Sequence, residues 1–404
     1  MKGLRWPLPA ALIGAALVAG VVGTAAVPFR HLVEGGFGYL NLILALFAGA
    51  WFGHTMQSGG FADAFAERMI AMTGARPIAS LALVGGMLFV TGMFVGIAGV
   101  AVLVIGVFAK PILVRIGLEA HQAAAFIAVE ATCGMIAPPV NVPAMMIADG
   151  VNMPFLNFER TLLVIAIPTA LFAVWVFARR ARPITSTITP SEQPAGRTVR
   201  SVLPLVLVLG FWLVLRVFPD RIFDPGVPIV LVAASLLALP FVDRPARVSA
   251  LRDTFSGVPV YLAAALVAVG VLVQIMTLTG MRGWLVMQTV ASAPPWLYLL
   301  LVSMPVLGGA LTAAGASNVL GVPFAFAFIE QDMIINVGAL SSIAAISEFT
   351  PPTAIGAALA GYVVGASSLW RIFKAALIPL ALLFAISLAL IVWAKPLAQY
   401  LTGV

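Results

Sequence analysis

The chain has 404 residues, of which 62% are hydrophobic and 9% are charged, and its formal net charge is +7. An average soluble domain has roughly 25% charged residues, so a chain with a mean hydropathy of +1.10 cannot cover a water-soluble globule with polar groups. These values exclude a soluble enzyme and a disordered protein, and the single cysteine, Cys133, excludes a disulfide scaffold. A membrane protein remains, in which the excess of Lys and Arg orients the chain rather than binding nucleic acid.

The apolar segments form long unbroken runs rather than the alternating pattern of a membrane β-barrel, so the sequence predicts an all-α fold. About 20 apolar residues cross a hydrocarbon core as a helix. Full spans are predicted near residues 8–27, 37–57, 120–149, 160–179, 203–218, 227–242, 257–279, 333–366 and 371–394. The first span follows a basic start and is either a cleavable signal peptide or a retained helix, and its length favours retention.

Two further apolar stretches, 78–109 and 296–329, are too long for one helix and carry small residues near their middle, at 92–99 and 308–318. Each stretch is either two ordinary spans or a re-entrant hairpin, whose two half-helices enter and leave on the same side. Non-helical backbone at membrane depth is tolerated only where protein buries it or water lines it. We predict hairpins, with functional residues at their tips.

The basic residues are distributed unevenly when the hairpins are counted as non-crossing. Six of the 22 basic residues fall on one side of the membrane: Arg30, Arg160, Arg216, Arg221, Arg282 and Lys395. The other 16 fall on the opposite side, which the positive-inside rule makes cytoplasmic. The N-terminus is therefore predicted in the cytoplasm and the C-terminus outside, with the first hairpin opening from the cytoplasm and the second from outside.

The two halves of the chain repeat the same order of segments. Pro138-Pro139 and Pro351-Pro352 are 213 positions apart, and Arg160 and Arg371 are 211 positions apart. Five full spans separate the hairpins, so the second half is predicted to be inverted, which is how many secondary transporters are built. The predicted division is a first repeat, a polar cytoplasmic linker and a second repeat, at residues 1–182, 183–199 and 200–404.

Each Pro-Pro pair interrupts a predicted span, the first within 120–149 and the second within 333–366. The pair removes two backbone donors, and its rings clash with the carbonyls one turn earlier. The carbonyls of residues 134–136 and 347–349 therefore lose their helical partners. Neighbouring helices could satisfy them, but two pairs at equivalent positions favour a binding centre, with Na⁺ on the carbonyls and an anion at the next half-helix N-terminus.

Polar side chains concentrate at the two breaks and at the second hairpin tip, whereas the first tip, 95–99, offers only backbone. They are Thr132, Cys133, Asn141, Thr312, Ser317, Asn318, Ser347, Glu348, Thr350 and Thr353. Glu130 and Glu348 are ionisable groups within spans and thus functional candidates by default, the alternative being a carboxylate that pairs locally. The sequence lacks metal-ligand spacing, a CxxC pair and a phosphate loop, so we predict no enzyme activity and no cofactor, and energy from an ion gradient or a partner.

Three segments resemble a known family. SGGFADAFAERMIAMTG (58–74), GMIAPPVNVPAMMIADG (134–150) and EFTPPTAIGAALAGYVVGAS (348–367), with a Gly-x-x-Gly hairpin tip between the first two, are similar to the large membrane subunit of TRAP transporters in the ion-transporter superfamily. The resemblance covers nearly the whole chain. It implies Na⁺-coupled uptake of small organic acids across the bacterial inner membrane, by an elevator motion of two hairpins and two broken helices against a scaffold. It also implies two partners, a periplasmic substrate-binding protein and a small four-helix membrane subunit.

Carried over by position, the family's contacts fall on the hairpin tips and the Pro-Pro breaks. The predicted binding residues are Gly96, Gly99, Thr132, Gly134, Pro138, Pro139, Asn141, Thr312, Gly315, Ser317, Asn318, Ser347, Glu348, Thr350, Pro351, Pro352 and Thr353. The Na⁺ candidates among them are Gly96, Gly134, Asn318 and Thr350, mostly through backbone carbonyls.

The chain departs from the family pattern at two hydroxyls. The family's first tip usually has Gly-Ser, where Gly99 is followed here by Val100, and its first Pro-Pro is usually followed by Ser, where this chain has Val140. These losses weaken a standard first sodium site. The alternative function is a stand-alone H⁺- or Na⁺-coupled carrier of the same superfamily that needs no binding protein, with Glu348 or Glu130 carrying the proton.

Overall fold

The computed structural model describes residues 7–73, 76–182, 195–218 and 221–402, and every regular element within these ranges is helical. The predicted all-α fold is confirmed. Lys2 and Arg5 of the basic start, and residues 183–194 of the predicted linker, lie outside the described residues. The rest of that linker, from Ala195, forms the first turn of a helix, because the apolar run that follows extends in helical conformation toward its polar N-terminal side.

The part of the chain before the linker forms helices α1 to α9. Their bounds are α1 Leu8–Thr24, α2 Phe29–Phe37, α3 Leu40–Ser58, α4 Phe61–Thr73, α5 Pro77–Val95, α6 Ala98–Arg115, α7 Ala120–Ile136, α8 Val142–Gly150 and α9 Glu159–Ala178. The part after the linker forms helices α10 to α21. Their bounds are α10 Ala195–Val217, α11 Val227–Ala238, α12 Arg244–Thr254, α13 Gly257–Leu278, α14 Met281–Val290, α15 Pro294–Leu300, α16 Ser303–Ala316, α17 Val322–Ala327, α18 Met333–Ala345, α19 Ile355–Val364, α20 Leu369–Val392 and α21 Ala394–Leu401.

Six helical stretches of the described chain are long and apolar enough to cross a bilayer, and the bent pair α2–α3 would make a seventh. The six are Pro77–Val95, Ala98–Arg115, Glu159–Ala178, Arg244–Leu278, Ser303–Ala327 and Leu369–Val392. Helices at the periphery expose apolar side chains: Val18 and Val22 of α1 are 65% and 80% exposed. Such surfaces suit lipid rather than water, so the chain is a multi-pass membrane protein.

Two of the predicted spans each consist of two helices separated by a Pro-Pro segment. The first has 17 residues in α7 and nine in α8, about 25 and 14 Å long at 1.5 Å per residue. The second joins α18 to α19 through a short 3₁₀ turn, Ile346–Glu348, and the Pro351-Pro352 pair. We call the non-helical stretches 137–141 and 349–354 the first break and the second break.

Helices α5 and α6 form a helical hairpin whose turn is at Gly96 and Ile97. Gly96 has φ +69°, a conformation that glycine adopts without the strain of a β-carbon. A β-carbon on Gly96 would lie 2.5 Å from a side-chain carbon of Val140 and 2.9 Å from its carbonyl oxygen. The tip of the first hairpin therefore contacts the first break.

The second hairpin turns at Thr312, where the backbone leaves the helical conformation with φ 68° and ψ 168°. Helical structure resumes at Ala313 and continues through a π-helical turn, Ser317–Gly321, into α17. In the arm before the turn, a β-carbon on Gly309 would meet the carbonyl oxygens of Pro351 and Thr350 at 2.5 and 2.8 Å. The second hairpin therefore packs directly against the second break.

The helices form two groups, which we call the core helices (α5–α9 and α16–α20) and the frame helices (α1–α3 and α10–α13). Within the core, α7 packs against α5, α6, α9, α19 and α20, and it is buried on all sides from Ala123 to Ile136, as expected for a helix that is apolar all round. The frame meets the core where α3 packs on α6 and where α13 packs on α16 and α19. Helices α4 and α14 contact both groups.

Candidate functional site

The first break is held by the fully buried side chain of Asn141. Its Oδ1 accepts a hydrogen bond from the backbone N–H of Ala144 at 2.9 Å and so caps α8. Its Nδ2 donates to the carbonyl of Ile136 at 3.0 Å and to the hydroxyl of Ser341 at 3.1 Å. Asn141 thus joins the two half-helices to each other and to α18, and its amide group is occupied by protein partners.

The freed carbonyls of the first break find donors within the protein. The carbonyl of Gly134 accepts from the N–H of Ala137 at 2.9 Å, and that of Ile136 accepts from Asn141. These two carbonyls therefore have protein donors, as in the alternative that left their satisfaction to the chain itself. Since each carbonyl oxygen has two lone pairs, each retains one for a further ligand.

The second break is tied to the second hairpin through Thr353. Its backbone N–H and its hydroxyl both donate to the carbonyl of Gly309, at 2.9 and 2.7 Å. The hydroxyl of Thr350 donates to the carbonyl of Ile346 at 3.3 Å. Hairpin and broken helix in the second half are consequently one hydrogen-bonded unit, and the hydroxyl protons of both threonines are used within it.

Glu348 lies between the N-terminal ends of two helical segments. The backbone amides of Ala313, just after the hairpin turn, and of Gly356, in the first turn of α19, face its carboxyl group. The side chain is 7% exposed, its Oε2 atom is buried without a hydrogen-bond partner, and none of the ion pairs among the described residues includes it. Helix N-termini favour negative charge, so a carboxylate of the chain occupies the position that would attract an anion.

A small cavity of about 40 Å³ lies beside Glu348 and brings both hairpins and both broken helices together. It is lined by Gly96, Ile97, Gly99 and Val100 of the first hairpin, Met135, Val142 and Pro143 around the first break, Thr312, Ala313 and Ala314 of the second hairpin, Glu348 and Ile355 around the second break, and Leu42, Leu46 and Leu266 of the frame. We call it the central cavity. One water needs roughly 10–15 Å³ of such volume, so the space holds an ion or a few waters.

The central cavity includes four of the residues predicted from the sequence, Gly96, Gly99, Thr312 and Glu348. Seven others lie in the breaks, where they shape the backbone: Pro138, Pro139, Asn141, Thr350, Pro351, Pro352 and Thr353. Gly134 and Ser347 lie in the helical turns just before the breaks. The apolar lining from Leu42, Leu46 and Leu266 was not predicted, because nothing distinguishes these leucines from other leucines in a span.

Three predicted residues have other roles in this conformation. Ser317 donates its hydroxyl proton to the carbonyl of Ala313 at 2.8 Å, within its own helix. Gly315 donates its N–H to the hydroxyl oxygen of Thr312 at 3.4 Å. Thr132 is buried in α7 with a hydroxyl that lacks a hydrogen-bond partner.

Asn318 is held by Arg282 of α14. The Nη2 atom of Arg282 donates to Oδ1 of Asn318 at 2.6 Å and to its carbonyl oxygen at 3.1 Å, while Nη1 donates to the hydroxyl of Thr277 at 3.2 Å. The role of Asn318 as a Na⁺ ligand stays a prediction, and in this conformation both of its oxygens accept from a guanidinium cation. Arg282 was missed, since a lone arginine in an interfacial helix carries no motif.

The pair of Arg282 and Asn318 predicts a measurable coupling between α14 and the second hairpin. Arg282→Ala and Asn318→Ala should each lower the thermal unfolding midpoint of the purified protein. The double variant should be destabilised by less than the sum of the two single-variant effects. The difference, the coupling free energy, should be about 1 kcal/mol for a charge-assisted but partly exposed pair. Differential scanning fluorimetry in detergent measures all four proteins, and strict additivity would show that the two side chains do not interact.

Glu130 is a second buried carboxyl group, in the middle of α7. It is 1% exposed, and its Oε1 atom has no hydrogen-bond partner. It faces α5, where a β-carbon on Gly85 would lie 3.1 Å from its carboxyl carbon. Glu130 is therefore packed between two core helices rather than on the central cavity.

The comparison with protein families decides the identity. The family model of the tripartite ATP-independent periplasmic transporter, DctM component, matches residues 4–397. The chain belongs to the DctM family. DctM is the large component of these transporters, which accounts for a polytopic chain with broken helices, and the described residues hold no group of three or more His, Cys, Asp or Glu side chains that could bind a metal ion.

Two solved structures have a similar fold to this DctM-family chain. The YdaH transporter of Alcanivorax borkumensis matches with a TM-score of 0.52 and 14% identity, covering 96% of each chain. MtrF of Neisseria gonorrhoeae, described as illuminating a class of antimetabolite efflux pumps, matches with a TM-score of 0.50 and 14% identity, covering 97% of this chain and 95% of that one. At this identity the likeness concerns the fold alone. No curated protein sequence matches the chain.

Proposed function

We propose that the protein takes up small organic acids across the bacterial inner membrane by ion-driven secondary transport, as the large permease subunit of a TRAP-type transporter. One observation carries the proposal: both hairpins and both broken helices converge on a single cavity at the boundary with the frame. Helix ends and non-helical backbone meeting at one point inside a bundle are the usual elements of a transporter binding site.

The elevator motion is supported by the character of the boundary between frame and core. In α3, a β-carbon on Gly53 would lie 2.7 Å from the carbonyl oxygen of Leu103 in α6, and one on Gly49 would lie 3.4 Å from the Leu103 side chain. Small residues of the frame thus face apolar side chains of the core, and the ion pairs of the described chain all lie elsewhere. Such a surface resists sliding less than one with interlocking charged groups.

The size of the central cavity requires a conformational change before an organic acid can bind. Sites for small organic ligands usually have volumes of about 300 Å³ or more, whereas this cavity has about 40 Å³. We propose that a hairpin tip withdraws to admit the substrate. In the predicted orientation, with the N-terminus cytoplasmic and the C-terminus periplasmic, a periplasmic binding protein delivers the acid, and a small four-helix membrane subunit completes the frame.

Two coupling ions are compatible with the site. Na⁺ is the first candidate, because the carbonyls of Gly134 and Ile136 in the last turn of α7 each keep a free lone pair, and the central cavity, lined by Met135 between them, has the size of an ion. A proton carried by Glu348 is the second, because this carboxyl group is buried, faces the cavity and has no basic partner among the described residues. The second candidate corresponds to a stand-alone carrier of the same superfamily.

Reconstituted vesicles distinguish these possibilities. The chain is incorporated into proteoliposomes alone, and together with the binding protein and small membrane protein encoded beside it, and a panel of radiolabelled C3–C6 mono- and dicarboxylates is supplied under an imposed Na⁺ or proton gradient. We expect uptake only with all three proteins and an inward Na⁺ gradient. Uptake by the chain alone under a proton gradient would support the stand-alone carrier, and no uptake under any condition would contradict secondary transport of organic acids.

A further inference from the structure

A second cavity, of about 220 Å³, lies between frame and core, where α3 and α12 of the frame face α6 and α19 of the core. We call it the lower cavity. Its polar lining consists of His54, Gln57, Lys110, Asp253 and Tyr362. None of these residues belongs to the breaks or the hairpin tips, so the transport site described above does not account for them.

Four of the five polar side chains of the lower cavity come from the largely apolar helices α3, α6 and α19, and the fifth, Asp253, comes from the polar helix α12. Lys110 is the only charged residue of α6 before Arg115 at its end, and no carboxylate of the described residues forms an ion pair with it. Tyr362 and His54 meet across the boundary, with Oη and Nε2 3.1 Å apart. Pro111 has no N–H, so the carbonyl of Val107, which also lines the cavity, lacks its helical donor.

The lower cavity continues the same helix faces that line the central cavity. On α3, Leu42 and Leu46 line the central cavity and His54 lines the lower one, eight residues or about 12 Å further along. On α6, Val100 lines the central cavity and Lys110, ten residues further along, lines the lower one. One seam between frame and core therefore borders both cavities, and Leu103, which lines the lower cavity, packs on Gly49 and Gly53 of α3 in this seam.

The predicted topology places the lower cavity on the cytoplasmic side. The cavity lies near the C-terminal ends of α3, α6 and α19, and near α12 with its Arg244, Arg247 and Arg252, all on the side that carries 16 of the 22 basic residues. An acid that leaves the central cavity along the seam would reach the cytoplasm through this space.

We propose that the lower cavity is a low-affinity exit site for the carboxylate of the transported acid, held by the Lys110 ammonium group and the Gln57 amide. The inference rests on the proposed function and orientation. The lower cavity, at about 220 Å³, is several times larger than the central cavity, and Lys110 supplies a cation without an ion-pair partner among the described residues. Asp253 lines the same cavity and repels the carboxylate, so binding is strong enough to draw the acid from the seam and weak enough to release it.

Charge-selective labelling tests the site without knowledge of the substrate. Gln57→Cys is labelled in inverted membrane vesicles with methanethiosulfonate reagents bearing either a sulfonate or a trimethylammonium group. The native Cys133 is buried and gives the baseline in the unaltered chain. Adding Lys110→Gln should lower the ratio of anionic to cationic labelling rates about tenfold, because one nearby positive charge acts on the two reagents with opposite sign. Lys110→Arg should keep the ratio within about twofold of the single variant.

A cysteine placed away from the lower cavity is the control for this labelling. Ser191→Cys, in the predicted linker, should show the same ratio with and without Lys110→Gln. An unchanged ratio at Gln57→Cys would overturn the anion site, and labelling from right-side-out vesicles only would overturn the cytoplasmic exit. The labelling requires no transport, so its result does not depend on acid uptake. A failure of acid uptake in proteoliposomes would contradict the proposed function, whereas an unchanged labelling ratio would contradict the anion site.

Discussion

Glu348→Gln is expected to reduce gradient-driven uptake about 10- to 100-fold while the protein still inserts and folds. Glutamine keeps the shape of the side chain but removes the charge that faces the amides of Ala313 and Gly356. A charge at a partly buried helix N-terminus contributes up to about 2 kcal/mol, and each 1.4 kcal/mol corresponds to a factor of ten. The helical arm that begins at Ala313 and helix α19 therefore lose the group that joins their N-terminal ends.

The same variant separates proton coupling from sodium coupling. Substrate exchange at equal concentrations on both sides needs no net proton movement, so a variant lacking only the proton carrier retains exchange. If Glu348 instead organises the binding site, both uptake and exchange fall. Glu130→Gln is the companion variant, since it removes a buried carboxyl group that packs against α5. Full uptake by Glu348→Gln together with loss in Glu130→Gln would place the coupling group in α7 and contradict the role given to Glu348.

Gly134→Ala is expected to destabilise the protein by about 3 kcal/mol, at the upper end of the usual cost of overpacking a core. A β-carbon at this position would overlap the backbone carbonyl oxygen of Phe89 and lie 2.8 Å from its carbonyl carbon. Backbone cannot rotate away as a side chain can, so α5 and α7 would have to separate. The thermal unfolding midpoint in detergent should fall by roughly 5 °C, and transport should fall with it.

Gly86→Ala is the matched control for this substitution. Gly86 is in α5, the helix that Gly134 packs against, and a β-carbon there meets nothing within 4 Å. It should leave the unfolding midpoint unchanged or raise it slightly, because alanine favours helix by about 1 kcal/mol over glycine. Equal midpoints for Gly134→Ala and the unaltered protein would show that Gly134 is not a close-packing residue. Gly134 would then have a single role, the predicted one as a carbonyl ligand for Na⁺.

The elements of the fold were predictable because each membrane helix corresponds to a run of consecutive apolar residues in the sequence. Every full span predicted from an apolar run corresponds to a helix or to a broken pair of helices in the described chain. The Pro-Pro pairs placed both breaks within a few residues, since a missing N–H and a ring clash act on the chain's own helix. The turn of the first hairpin fell among the predicted glycines, at Gly96.

The roles of individual site residues were less predictable, because they depend on which partners other helices bring. Asn141 was expected as a ligand and is a cap that also joins α7 to α18. Asn318 was predicted as a Na⁺ ligand, and the sequence did not indicate that it accepts from Arg282, 36 positions earlier in the chain. Glu348 was expected near the centre, but its position between two helix N-termini depends on the fold of the second hairpin at Thr312.

The sequence by itself determined the all-helical membrane fold and the positions of the two breaks, because bilayer burial and proline sterics act on consecutive residues, while the re-entrant course of the two hairpins stays a prediction. The tertiary structure alone decided that both hairpins and both broken helices meet in one cavity, that Glu348 occupies its anion-attracting position, and that Lys110 lines a second cavity between frame and core. Those features depend on distances between residues as far as 308 positions apart or more, such as His54 and Tyr362, and neither composition nor local spacing encodes such distances.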